Sequence, residues 1–112
     1  MVIDPRNYMR RKGMALEERA EESPVLEMEF TVSNRLGMHA RVAAQIVRVA
    51  SRFNSEIVIT KCGGAVNGKS ILDVMTLICP FGSKINICAK GPDAAEALDA
   101  LAALFQTKFG EP

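Results

Sequence analysis

A chain of 112 residues is one domain's worth, and 48% hydrophobic with 24% charged residues is the make-up of an ordinary globular protein. With 14 basic against 13 acidic residues the formal net charge is +1, which gives no electrostatic footprint for nucleic acid or an anionic membrane. Five Phe, one Tyr and no Trp leave little for stacking on bases.

No apolar run approaches the length of a membrane span, and the N-terminus lacks the basic, apolar, small-residue order of a secretory signal. The expected compartment is the cytoplasm. Cys62, Cys79 and Cys88 are odd in number and have no CxxC spacing, so they read as buried or semi-buried thiols rather than metal ligands.

Residues 1–25 differ from the rest. Arg10-Arg11-Lys12 is basic, Glu17-Glu18 and Glu21-Glu22 are acidic, and Ala15 to Glu22 lacks a sustained apolar face. Ser23-Pro24 is a break before the first strand. The expectation is a mobile N-terminal extension, either a docking arm or a solvated tail, ahead of a single domain over residues 26–112.

Glu27 to Ser33 alternates, with Met28, Phe30 and Val32 on one face: a half-buried strand. Asn34-Arg35-Leu36-Gly37-Met38 is a strand-to-helix loop, and Gly37 can supply a positive φ. The helix that follows carries Ala43, Ile46, Val47 and Ala50 at i, i+3, i+4 and i+7, widened by Val42, Val49 and Phe53.

His39, the only histidine, stands at the mouth of that helix. A helix start has N–H groups without partners and a partial positive charge, so it favours an anion. Arg41 adds a planar fork of donors suited to phosphate or carboxylate. Imidazole, open amides and guanidinium at one point suggest a phosphoryl group carried on the histidine. A cap or a solvated side chain is the plainer alternative.

Asn54 to Lys61 is a second strand, Cys62-Gly63-Gly64 a hairpin turn and Ala65 to Lys69 a short return strand. Ser70 opens a second helix, with Asp73 three residues on in a capping-box-like relation. Its apolar residues nearly surround it, so some must be exposed. Ile85, Ile87 and Ala89 mark the last strand. Gly91-Pro92-Asp93 starts a final helix, with Ala94, Ala97, Leu98, Leu101, Leu104 and Phe105 on one face. The order β-α-β-β-α-β-α predicts an α+β fold, an antiparallel sheet with helices on one face.

Gly37-Met38-His39-Ala40-Arg41, Ala43-Ala44, Val66-Asn67-Gly68-Lys69-Ser70-Ile71, Val74-Met75-Thr76-Leu77 and Ala89-Lys90-Gly91-Pro92-Asp93 together resemble the histidine-containing phosphocarrier (HPr) family. The family belongs to the bacterial phosphoenolpyruvate-dependent phosphotransferase system. The likeness runs from about Leu26 to Phe109.

It implies an open-faced β-sandwich: a four-stranded antiparallel sheet with three helices on one face. It also implies a carrier, not an independent turnover catalyst, acting as a monomer without cofactor or metal. His39 would accept the phosphoryl group on Nδ1 from Enzyme I and pass it to an Enzyme II A-type acceptor, in sugar uptake or a nitrogen-type regulatory branch. Arg41 would pair with phosphate oxygens, and the amides of Ala40 and Arg41 would complete the cradle.

Ser70 matches the position that a serine kinase phosphorylates in some members, although a helix N-cap accounts for a serine here as well. Ala44, Gln45, Leu72 and Met75 match the surface presented to partners. Val42 departs from the usual proline after the arginine, which loosens the first helical turn. The alternative from another class is a regulatory binding module that uses the same surface without obligatory transfer.

Overall fold

The computed structural model describes residues 25–77 and 79–112. The expected N-terminal extension lies outside the described residues. The elements are β1 (Val25–Thr31), α1 (Ala40–Ala50), β2 (Glu56–Lys61), β3 (Gly64–Asn67), α2 (Ile71–Met75), β4 (Lys84–Lys90), α3 (Ala94–Gln106) and a final 3-10 turn (Lys108–Gly110). The sheet is antiparallel throughout, in the order β1-β4-β2-β3. The expected β-α-β-β-α-β-α architecture is the one observed.

Burial follows the periodicities. Ile57, Ile59, Ile85, Ile87 and Ala89 turn to the helices and join Val42, Ala43, Ile46 and Ala50 of α1 and Leu98 and Leu101 of α3 in one core. Each large aliphatic side chain taken from water there contributes about 1.5–3 kcal/mol. The first strand departs from its pattern: Phe30 and Val32 are buried, whereas Met28 is exposed. Met28 lies toward the sheet's β1 edge, where the core is thinner and only Ala102, Phe105 and Gln106 of α3 line the adjoining hollow.

The Cys62-Gly63 turn has φ of 35° and 83°, the left-handed pair that a two-residue hairpin matched to strand twist requires. Helix α2 is short, five residues, and buries Val74 while leaving Ile71, Leu72 and Met75 exposed. No helix among the described residues is long and apolar enough to cross a membrane.

Two features aim the loop that leads into α1. Gly37 has φ of +71°, and a Cβ there would fall 2.4 Å from the Cys79 carbonyl oxygen, so only glycine fits. The next amide, Met38 N–H, donates to that same oxygen at 2.8 Å. The approach to His39 is thereby clamped against the segment before β4.

Candidate functional site

His39 is the N-cap of α1, with extended backbone (φ −149°, ψ 178°), and its carbonyl accepts from Ala43 N–H at 2.9 Å. Its side chain caps nothing, and the first turn of α1 holds no acid. Among the described residues, the amides at this helix start are thus left without a side-chain acceptor, which keeps their partial charge available to an anion.

The imidazole turns instead to the far end of the chain. Its Nε2 lies 2.9 Å from Glu111 Oε1, with 32% of the His39 side chain and 11% of the Glu111 side chain exposed. Asn34, fully buried, donates from Nδ2 to the same Oε1 at 2.8 Å and to the Gly37 carbonyl at 2.8 Å. Its Oδ1 has no hydrogen-bond partner among the described residues. The His39 and Asn34 hydrogen bonds, in that order of weight, hold the Glu111 carboxyl below the usual carboxylate range, and the Arg41 charge acts in the same direction.

An ionised carboxylate only accepts, so Nε2 carries the proton of this contact. In the neutral ring Nδ1 then keeps its lone pair. The carboxylate sets the tautomer, as carboxylates beside reactive or metal-bound histidines do.

Glu111 is brought there by an unusual ending. Lys108, Phe109 and Gly110 are successive left-handed residues, with φ of 54°, 58° and 74°. For a phenylalanine that conformation costs of order 1–3 kcal/mol and persists only where the surroundings compel it. The compulsion is packing. Phe109 is buried edge-on to Phe105 at 4.9 Å, and Phe105 stacks on Phe30 at 4.7 Å.

Gln45 Nε2 donates to the Phe109 carbonyl at 3.1 Å, and Arg35 N–H donates to Pro112 O at 2.6 Å. The last turn is thus anchored to β1, α1, α3 and the loop before α1.

His39 and Arg41 line one open hollow with Arg35, Leu36, Glu111 and Pro112. Ala40 is the first residue of α1, and Ala44 and Gln45 stand about a turn further along, half-buried. Gln45, expected on a partner surface, is also a strut for the final turn. Ser70, Leu72 and Met75 are not in the hollow; they belong to α2, which packs beside α1. Val42, in place of the usual proline, is fully buried and adds its side chain to the core.

Sequence reasoning missed Asn34 and Glu111. A glutamate 72 positions from the histidine carries no spacing signal. Asn34 offered a faint one, an Asx-type residue three before the glycine whose carbonyl it binds.

A model of the PTS HPr component phosphorylation site matches residues 26–107. The chain belongs to the HPr phosphocarrier family. Phosphocarrier protein HPr of Treponema pallidum is 48% identical over 80 residues, 71% of this chain and 91% of that protein. Phosphocarrier protein HPr of Cupriavidus necator is 40% identical over 87 residues, 78% of this chain and 98% of that one.

The HPr-C-His crystal structure from Thermoanaerobacter tengcongensis superposes with a TM-score of 0.75 at 40% identity, covering 78% of this chain and 98% of that one. The HPr fold is therefore common ground, and the residues before position 26 lie outside the match to the family model.

Proposed function

We propose that this HPr-family chain is a cytoplasmic phosphocarrier in which His39 takes a phosphoryl group on Nδ1 from the phosphohistidine of Enzyme I and gives it to an Enzyme II A-type acceptor. The observation that carries this reading is the Glu111 contact on Nε2, which leaves Nδ1 as the nucleophile. In the forward step the Nδ1 lone pair forms the new N–P bond while the N–P bond to the donor histidine breaks. The His39 ring, still protonated on Nε2, becomes positive, and the Glu111 carboxylate stabilises that charge. In the onward step the acceptor's nucleophile forms a new bond to phosphorus while the Nδ1–P bond breaks, its electron pair returns to Nδ1 and the ring is neutral again. No other proton needs to move on this protein.

Arg41 and the amides of Ala40 and Arg41 act on the phosphoryl oxygens, where charge placement and orientation do most of the work of phosphoryl transfer. An uncapped helix start free of acids supports this assignment. The half-exposed imidazole suits a carrier, because donor and acceptor must both reach it and the phosphohistidine must not be held too tightly.

Leu36, Leu72, Met75 and Phe81 are exposed apolar residues of the kind that partner surfaces use, which supports the α2 residues as a docking rim. At Ser70 the hydroxyl already serves α2, so a kinase acting there must displace a working cap.

The test is phosphoenolpyruvate-dependent labelling by the organism's own Enzyme I, comparing the parent with His39→Ala. Acid-labile, alkali-stable label on the parent and none on the variant is the expected result. A folded parent that takes no label overturns the carrier reading and leaves a binding module.

A further inference from the structure

Asn34 closes the loop before α1 and then reaches past it. Its backbone carbonyl accepts from Gly37 N–H at 3.1 Å, and its Nδ2 donates back to the Gly37 carbonyl at 2.8 Å. These two bonds span the turn that leads to His39. The second Nδ2 hydrogen goes to Glu111 Oε1 at 2.8 Å, the same oxygen that lies 2.9 Å from His39 Nε2.

An asparagine side chain brings two donors and an acceptor, and buried polar groups are ordinarily paired. Asn34 is fully buried, spends both donors and leaves Oδ1 without a partner among the described residues. The turn uses only one of those donors. What the other one holds is the Glu111 carboxylate.

That carboxylate has other cations within its hollow. Arg35 and Arg41 line it together with His39, and these are the titratable and charged groups that face Glu111 there. A carboxylate fits the planar fork of a guanidinium well, and a glutamate side chain has enough rotatable bonds to turn toward one. Among the described residues, however, Glu111 lies against His39 and makes no ion pair with either arginine.

We propose that Asn34 is a positioning residue: it holds the Glu111 carboxylate on His39 Nε2 and off Arg41, whose guanidinium stays open to the phosphoryl oxygens. The role rests on the carrier reading of His39. Asn34 ties Oε1 to the same loop that carries the ring, so the carboxylate keeps its place relative to His39 and not only to the last turn. When the ring turns positive, the oxygen that meets Nε2–H is already in position. Glu111 lies beyond residues 26–107, so the match to the family model does not reach this bridge.

Rapid-mixing labelling by Enzyme I and carbon-13 NMR titration of the Glu111 carboxyl, on the same full-length variants, test this. Asn34→Ala should slow phosphoryl transfer about tenfold at saturating Enzyme I, the lower end of the cost of losing such a supporting bond. Its Glu111 carboxyl should titrate higher than in the parent, because a hydrogen bond that lowers it is gone. In a Glu111→Ala background the same substitution should change the rate less than about twofold, since residues that act as a unit are not additive. Asn34→Asp keeps the shape but presents a carboxylate that cannot donate to Oε1. It should slow transfer at least as much as Asn34→Ala, and it decides if alanine leaves the chain unfolded.

A parental rate in folded Asn34→Ala overturns the proposal. So does a slowed rate with Glu111 titrating as in the parent, or an equal loss repeated in the Glu111→Ala background; either result assigns Asn34 to the loop alone. A parent that takes no label removes the carrier reading and this role with it, whereas a labelled parent with an unaffected variant removes only this role.

Discussion

Helices α1 and α2 begin alike and end up with opposite uses. Each follows an extended residue, His39 at φ −149° and Ser70 at φ −117°. At α2 the Ser70 hydroxyl accepts from Asp73 N–H at 3.3 Å, and the Asp73 carboxylate, in the first turn, accepts from Asn67 N–H at 3.2 Å. That start is satisfied from within. At α1 the capping residue turns its side chain away to Glu111, and no acid occupies the first turn. A cap is worth about 1 kcal/mol, so α1 forgoes stability to keep its amides open. The helix start left unfinished is the one whose capping residue is the proposed phosphoryl acceptor.

His39→Ser is the sharpest way to break that contrast, because it gives α1 the start that α2 has. Labelling by Enzyme I should vanish completely, while thermal melting should show a gain of up to about 1 kcal/mol. A variant with no label and lower stability would mean that the His39–Glu111 contact, not the missing cap, dominates the energetics there.

Phe109→Ala attacks the plug that delivers Glu111. Loss of a buried aromatic side chain should cost about 3 kcal/mol in denaturant unfolding. Labelling should slow even at temperatures where the variant remains folded. Unchanged labelling kinetics would separate the C-terminal anchor from the site.

Glu111→Gln leaves the plug in place and removes only the charge that holds the Nε2 proton. The expected slowing of phosphoryl transfer is about tenfold to a hundredfold, the range for carboxylates that hold the far nitrogen of a functional histidine. The carboxyl sits below its unfolded value, so its stabilisation is complete above the ordinary carboxylate range and is lost as pH falls through the folded value. The stability gap between parent and Glu111→Gln should therefore shrink on acidification. Asp93, lowered chiefly by the Ser55 hydroxyl and then by the Asn54 amide, loses stabilisation in the same direction in both proteins and cancels.

The smallest effect belongs to the finished helix start. Ser70→Ala should lower stability by about 1 kcal/mol in thermal melts and leave Enzyme I labelling at the parental rate. A large drop in labelling would show that the two helix starts are coupled through the contact between α1 and α2.

Local rules were enough for most of the fold. Alternation marked the strands, the 3.6-residue period marked α1 and α3, and paired turn residues marked the hairpin, because each signal lies within a few neighbours along the chain. The same locality exposed His39 and Arg41, two residues apart at one helix mouth, and the linked motifs around them carried the family. Alternation put Met28 on the same face as Phe30, and its pairing with Ile87 keeps it there; its exposure was not legible, because alternation assigns a side chain to a face but says nothing of how far the core extends toward an edge strand.

What only the tertiary structure decided is the company His39 keeps. Glu111 reaches it because Phe109 is driven into the core beside Phe105 and Phe30, at the cost of a left-handed backbone. Asn34 meets the same carboxylate from beneath the loop. Residues separated by 72 and 77 positions share no period or motif, and they come together only when burial of aromatic surface outweighs the strain of the last turn.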